Sequence, residues 1–183
     1  MTSSTLLRYW PAVLSLLIMA CASTSRVPDF SKEYYTSRNG QLRYKLPIGW
    51  LNATNDSLSS SAVVWLVRND FAATLSVKEV VIDAETRHEV QRTGLKRVAE
   101  LTLALASGER GGSVVDPPQM TSLGGRTACA YEYMTSHPND RIRVILIDTG
   151  STVYDVSLLM TESAGSKTDG TALQEAFVRT LVW

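Results

Sequence analysis

Two cysteines, two histidines and a single Asp-Thr-Gly-Ser run are the residues from which a reaction could be assembled in this 183-residue chain. A thiol nucleophile needs a base within hydrogen-bond reach to hold it as thiolate. The thiols are Cys21 and Cys129, the histidines are His88 and His137, and no spacing in the chain sets a histidine beside a thiol. His137 stands in Ser136-His-Pro-Asn-Asp140, a loop composition. Two separated histidines and one spare thiol do not have metal-ligand spacing, so neither a metal nor another cofactor is expected. Asp148-Thr149-Gly150-Ser151 follows the apolar run Val144-Ile-Leu-Ile147. The reaction associated with such a run needs two carboxylates ~3 Å apart sharing one proton.

The run looks like the active-site signature of aspartic proteases, which bring two copies together from two halves of a chain or from two subunits. This chain has one copy, and the 35 residues after Asp148 contain no hydrophobic-Gly-Arg-Asn/Asp stretch. The run is therefore read as a hairpin between two strands, with Gly150 supplying positive φ. Glu132, Asp155 and Glu162 are scattered along strand-like stretches and are read as solvent-facing or structural. Strand alternation in Thr127-Ala-Cys-Ala-Tyr-Glu-Tyr133 puts Cys129 on one face with Tyr131 and Tyr133, as a small buried core residue. A hydrolase using Asp148 or Cys129 is the alternative, and it requires one of them to line a cleft.

Cys21 invites a different chemistry. Arg8 is followed by an uncharged run over residues 11–20, which stops at Cys21 and the polar Ser23-Thr24-Ser25-Arg26. That is well short of the ~20 apolar residues of a membrane-spanning helix, so residues 1–20 are read as a cleaved signal peptide. Ile18-Met19-Ala20-Cys21 resembles the bacterial lipobox, in which a small residue precedes a cysteine that takes a diacylglyceryl group. Cys21 is thus the expected lipidation site. Two or three palmitate-type chains, at ~0.8 kcal/mol per buried methylene, would hold the protein to the lipid bilayer. Residues 21–31 read as the lipidated N-terminus and a tether. Ala22 and Ser23 lack the acidic residue that retains many lipoproteins at the inner membrane. The expected location is the cell envelope, with the periplasmic face of the outer membrane favoured. With Cys21 acylated, Cys129 is a lone thiol and no intramolecular disulfide can form.

The elements that must position these residues lie in 32–183, long enough for a single domain with a real core. Eighteen basic residues balance eighteen acidic ones, which gives no footprint for nucleic acid. Asn39-Gly40 is a hairpin signal between 33–38 and 41–46, and Pro47-Ile-Gly-Trp50 follows. Beyond a polar loop, strands are expected over 62–68 and 72–82, joined at Asn69-Asp70. Asp83 is the expected N-cap of one long helix reaching about Ser107, with Val90, Gly94, Val98, Leu101 and Leu105 on its inner face. Four strands follow, over 113–122, 126–136, 141–148 and 152–161. The third carries Ile142, Val144 and Leu146 on one face with Ile145 and Ile147 on the other, so it is expected to be covered on both sides. Thr171-Ala-Leu-Gln174 has a capping-box pattern and opens a terminal helix with Leu173, Ala176, Phe177, Thr180 and Leu181 at helical spacing. The class is α+β, a mostly antiparallel sheet with two main helices.

This order of elements, together with Pro47-Ile48-Gly49-Trp50, resembles the PsbP-like fold over roughly residues 34–183. That group includes photosystem accessory proteins, a Ran-binding transport adaptor and bacterial lipoproteins of the DcrB type. The resemblance implies a non-enzymatic α/β/α sandwich used for binding or for stabilising a larger assembly, with Trp50 as a structural plug and no catalytic residue or ligand set carried over. The expected function is that of a membrane-anchored envelope lipoprotein serving an envelope protein partner. A small-ligand carrier is the remaining alternative, and its sign would be a deep apolar pocket near Trp65, Tyr131 and Tyr133.

Overall fold

Alternating and double-sided apolar stretches become one large sheet with a helical layer on each face. The computed structural model describes residues 28–57, 61–136, 140–161, 164 and 167–183; Cys21, the expected signal peptide, His137 and Glu162 lie outside them. Among the described residues the order is β1 (Phe30–Thr36), β2 (Arg43–Pro47), β3 (Trp50–Asn52), β4 (Val64–Arg68), β5 (Ala73–Val80), α1 (Ala84–Thr93), α2 (Lys96–Arg110), β6 (Ser113–Leu123), β7 (Arg126–Met134), β8 (Arg141–Asp148), β9 (Val153–Met160) and α3 (Lys167–Thr180). Strands β3 to β9 form a seven-stranded antiparallel sheet in the order β3-β4-β5-β9-β8-β7-β6, and β1-β2 is a separate hairpin sheet. No helix among the described residues is long and apolar enough to cross a membrane.

One face of the large sheet is closed by α3 and the β1-β2 hairpin. There Val64, Leu66, Leu75, Val77, Ile145, Ile147, Val156 and Leu158 pack with Leu42, Tyr44 and Phe177. Each such side chain contributes ~1.5–3 kcal/mol by leaving water. On the other face α1 and α2 set Val90, Leu95, Val98, Ala99 and Leu103 against Cys129, Tyr131, Tyr133, Ile142, Val144 and Leu146. Strand β8 is covered on both sides, as its double apolar pattern requires.

Several expectations change. The single helix over 83–107 is two helices, which makes three helices among the described residues instead of two main ones. Asp83 does cap the first, its side chain accepting from the Thr86 amide at 2.7 Å. The break is at Gly94, whose φ of 84° a side chain rarely tolerates, and Leu95 restarts the helix with a new phase. Leu101 and Leu105 therefore point outward, and Leu95, Ala99 and Leu103 form the inner stripe with Val98. Helix α3 begins at Lys167, so Thr171 lies inside it and caps nothing. Phe30 and Ser31, expected in the tether, belong to β1. The β1-β2 connection spans residues 37–42, closed by the Ser37 amide on the Leu42 carbonyl at 2.8 Å, with Gly40 at φ 74° inside it.

Candidate functional site

The helical layer over the second face is too narrow for the sheet. It covers β6, β7 and β8 and reaches Val153 of β9 and Val80 of β5 at one end; beyond that, the α2-side faces of β9, β5 and β4 are only partly buried. Strand β5 alternates: Ala73, Leu75 and Val77 enter the closed core while Thr74, Ser76 and Lys78 face the other way. Strand β9 does the same, with Asp155, Ser157 and Leu159 on the uncovered side. Register aligns these into rows: Leu51, Val67, Thr74 and Leu159 in one, Trp65, Ser76, Ser157 and Val144 in the next, then Lys78, Asp155 and Leu146.

Along the edge of α2 these rows form a groove of about 280 Å³, walled by Thr102 and Ala106 of the helix and floored by Ser76, Lys78, Asp155 and Ser157. The Ser157 hydroxyl donates to the Asp155 carboxylate, and Lys78 stands directly across the ladder from Asp155. At the helix side the Tyr131 hydroxyl donates to Thr102 Oγ1 at 3.0 Å, and Thr102 donates on to the Val98 carbonyl at 3.0 Å. Burial pushes the Tyr131 phenol well above the ordinary tyrosine range, so it stays protonated and fixes the wall. The groove offers hydroxyl donors and acceptors, one amine and one carboxylate, flanked by half-buried Trp65. That is a surface for holding a polar group, with no activated nucleophile among its lining residues.

The residues expected to carry reactions are engaged elsewhere. Cys129 is 0% exposed beneath α2, and burial pushes its thiol up to about 11, far from a thiolate at neutral pH. His88 lies in an open crease between α1 and α2 with Glu85, Glu89, Lys96, Arg97 and Glu100. Asp148 Oδ1 accepts from Arg87 Nη1 at 2.9 Å and from the Gly150 amide at 2.9 Å, so its partners are a guanidinium and a hairpin amide. Gly150 has φ 89°, as the turn requires, in a four-residue connection from Asp148 to Val153. Among the described residues no group of three or more His, Cys, Asp or Glu side chains converges.

Two carboxylates read as solvent-facing or structural are resolved by position. Glu132 is 2% exposed and pairs with Arg141 Nε at 2.8 Å, on the α3 side of β7. Asp155 is half-buried in the groove. Gln174, read as a capping residue, is fully buried and donates from Nε2 to the Arg143 and Val156 carbonyls at 3.0 and 2.8 Å, tying α3 to the sheet. Arg143 completes this tie through Gln174 Oε1 at 2.8 Å and Glu175 at 3.0 Å. Trp50 is buried against the closed core, after Gly49 at φ 83°. Tyr131 and Tyr133 are buried as well, and the space beside them is polar-floored, unlike the deep apolar pocket a small-ligand carrier would need. The groove lies where a carrier's pocket near Trp65, Tyr131 and Tyr133 was the expected alternative; its polar floor was not expected, although the matched alternation of β5 and β9 carries that signal.

No family model and no curated protein sequence matches the chain. Solved structures do. The solution structure of cyanobacterial PsbP (CyanoP) from Synechocystis sp. PCC 6803 superposes with a TM-score of 0.57 at 12% identity, over 89% of this chain and 96% of that one. A Bacteroides thetaiotaomicron protein gives 0.52 at 10% identity, over 82% of this chain and 47% of the other. The Saccharomyces cerevisiae Ran-binding protein Mog1p gives 0.52 at 12%, over 84% and 96%. The chain has the PsbP-like fold, a mostly antiparallel α+β architecture.

Proposed function

We propose that this chain is a membrane-anchored envelope lipoprotein, held to the lipid bilayer through acyl chains on Cys21, whose folded part is a non-enzymatic binding or assembly-accessory module. Its working surface is the groove beside α2, and its partner is another envelope protein at the periplasmic face of the outer membrane. The observation that carries the reading is the uncovered half-sheet. Polar side chains from two strands are held in register on a rigid floor, while Cys129 and Asp148 are locked into core and hairpin. A buried thiol raised to about 11 and a carboxylate bound by arginine support a non-enzymatic reading over a hydrolase. A half-buried tryptophan beside hydroxyl-bearing strands suits a protein segment better than an apolar ligand. A similar fold is carried by a yeast protein that binds Ran, which supports a recognition role.

Intact mass spectrometry of protein extracted from membranes should give a chain beginning at Cys21 plus its acyl chains, and Cys21→Ser should release the protein from the membrane fraction. Ser157→Trp, which fills the groove, should abolish a native-gel complex that the wild type forms. Peptide or ester cleavage by the purified protein, lost in Cys129→Ser or Asp148→Asn, would replace this reading with a hydrolase.

A further inference from the structure

The described chain begins at one end of the large sheet, and that end bears two apolar side chains in open solvent. The Ile48 amide donates to the Asp29 carbonyl at 2.9 Å and Phe30 pairs with Pro47, so the chain enters the fold alongside the β2-β3 turn. The Asn69 amide donates to the Gly49 carbonyl at 3.0 Å, which ties the β4-β5 turn to the same place. At the tips of these two turns Ile48 is 67% and Phe71 73% exposed. Phe71 has φ 60°, a conformation rare for a bulky side chain and held here with no packing in return. Arg68 beside it is paired with Asp70 at 2.7 Å, so the turn presents an apolar side chain beside a neutralised pair. Cys21 lies seven residues before Pro28. That stretch reaches at most ~25 Å when fully extended.

We infer that Ile48 and Phe71 are a bilayer contact: the two turns insert their side chains into the interfacial layer of the membrane and fix the domain's orientation on it. The inference rests on the anchoring at Cys21 proposed above. An acylated Cys21 brings this end of the domain nearest to the lipid surface, where exposed apolar side chains gain by leaving water. The opposite end supplies the contrast. Val81, just past β5, is 96% exposed yet lies ~25 Å away along the strand, beyond eight residues of ladder.

The test uses the full-length protein in its membrane, with Ile48→Cys, Phe71→Cys and Val81→Cys each labelled by an environment-sensitive fluorophore. Buried Cys129 does not react in the folded protein, and an acylated Cys21 cannot. Fluorescence at 48 and 71 should be blue-shifted and quenched several-fold more strongly by spin-labelled phosphatidylcholine than at 81. Equal, water-like fluorescence at all three positions, in protein that still sediments with membranes, overturns the contact and leaves the anchor standing. A protein that stays soluble, with Cys21 itself open to labelling, refutes the anchor. Quenching at 48 and 71 on adding that soluble protein, with Cys21→Ser so that only the introduced cysteine is labelled, to phosphatidylcholine vesicles would then support the contact by itself, and its absence would overturn it.

Discussion

The two faces of the large sheet are built from the same strands and differ in what covers them. On the closed face the central rows of β4, β5, β9 and β8 are mostly apolar, sealed by Phe177, Tyr44 and Leu42, with Arg143 of β8 tied to α3. On the other, apolar character follows the helices: Cys129, Tyr131, Ile142, Val144, Leu146 and Val153 pack with α1 and α2, and Thr74, Ser76, Lys78, Asp155 and Ser157 line the groove beside α2. Coverage, not strand identity, decides composition, and the boundary between the covered and uncovered halves is where a partner can reach side chains held on a rigid floor.

The sharpest way to break the comparison is to weaken each face in turn. Phe177→Ala empties the closed core and should cost ~3–5 kcal/mol in urea unfolding, against less than ~0.5 kcal/mol for Ser76→Ala on the open half. Comparable costs would mean that the open half is covered in solution. Next in size is a pH effect beneath α2. Burial raises the Cys129 thiol from 9.0 to about 11, so the folded state holds its proton where the unfolded chain has lost it. The resulting stability is complete below pH ~9 and is lost as pH rises from there through ~11, at up to ~1.4 kcal/mol per pH unit. Cys129→Ala should lack that part of the fall in a pH series of thermal melts. Glu132→Gln should cost about 2 kcal/mol, less than a fully buried pair would, because Arg141 remains a third exposed. Arg87→Ala, which frees the half-buried Asp148, should cost about 1 kcal/mol in the same assay.

Much of the fold was legible because its signals are local. The two-sided apolar pattern of β8 placed it inside the sheet, Asp83 announced a helix start, and Pro47-Ile-Gly-Trp50 announced a turn followed by a buried ring. What failed was phase. Gly94 reads as one tolerable position in a helical stripe, yet its positive φ ends one helix and shifts the next, which moved Leu101 and Leu105 from the expected core to the surface. Thr171 and Gln174 have cap spacing, but Gln174 is needed by two strand carbonyls, a tertiary demand the spacing does not reveal. The groove depends on β5 and β9, which lie far apart in sequence and meet only through their pairing.

The half-sheet beside α2 is the surface through which we propose that the protein works. The most direct test is site-specific photocrosslinking in intact cells, with a benzophenone amino acid at Ser76 on the groove floor and, in a parallel strain, at exposed Arg179 on the outer side of α3. A discrete adduct of one size from Ser76, absent from Arg179, is the predicted result. Adducts identical at the two positions, or none at Ser76 while Arg179 gives one, would contradict it.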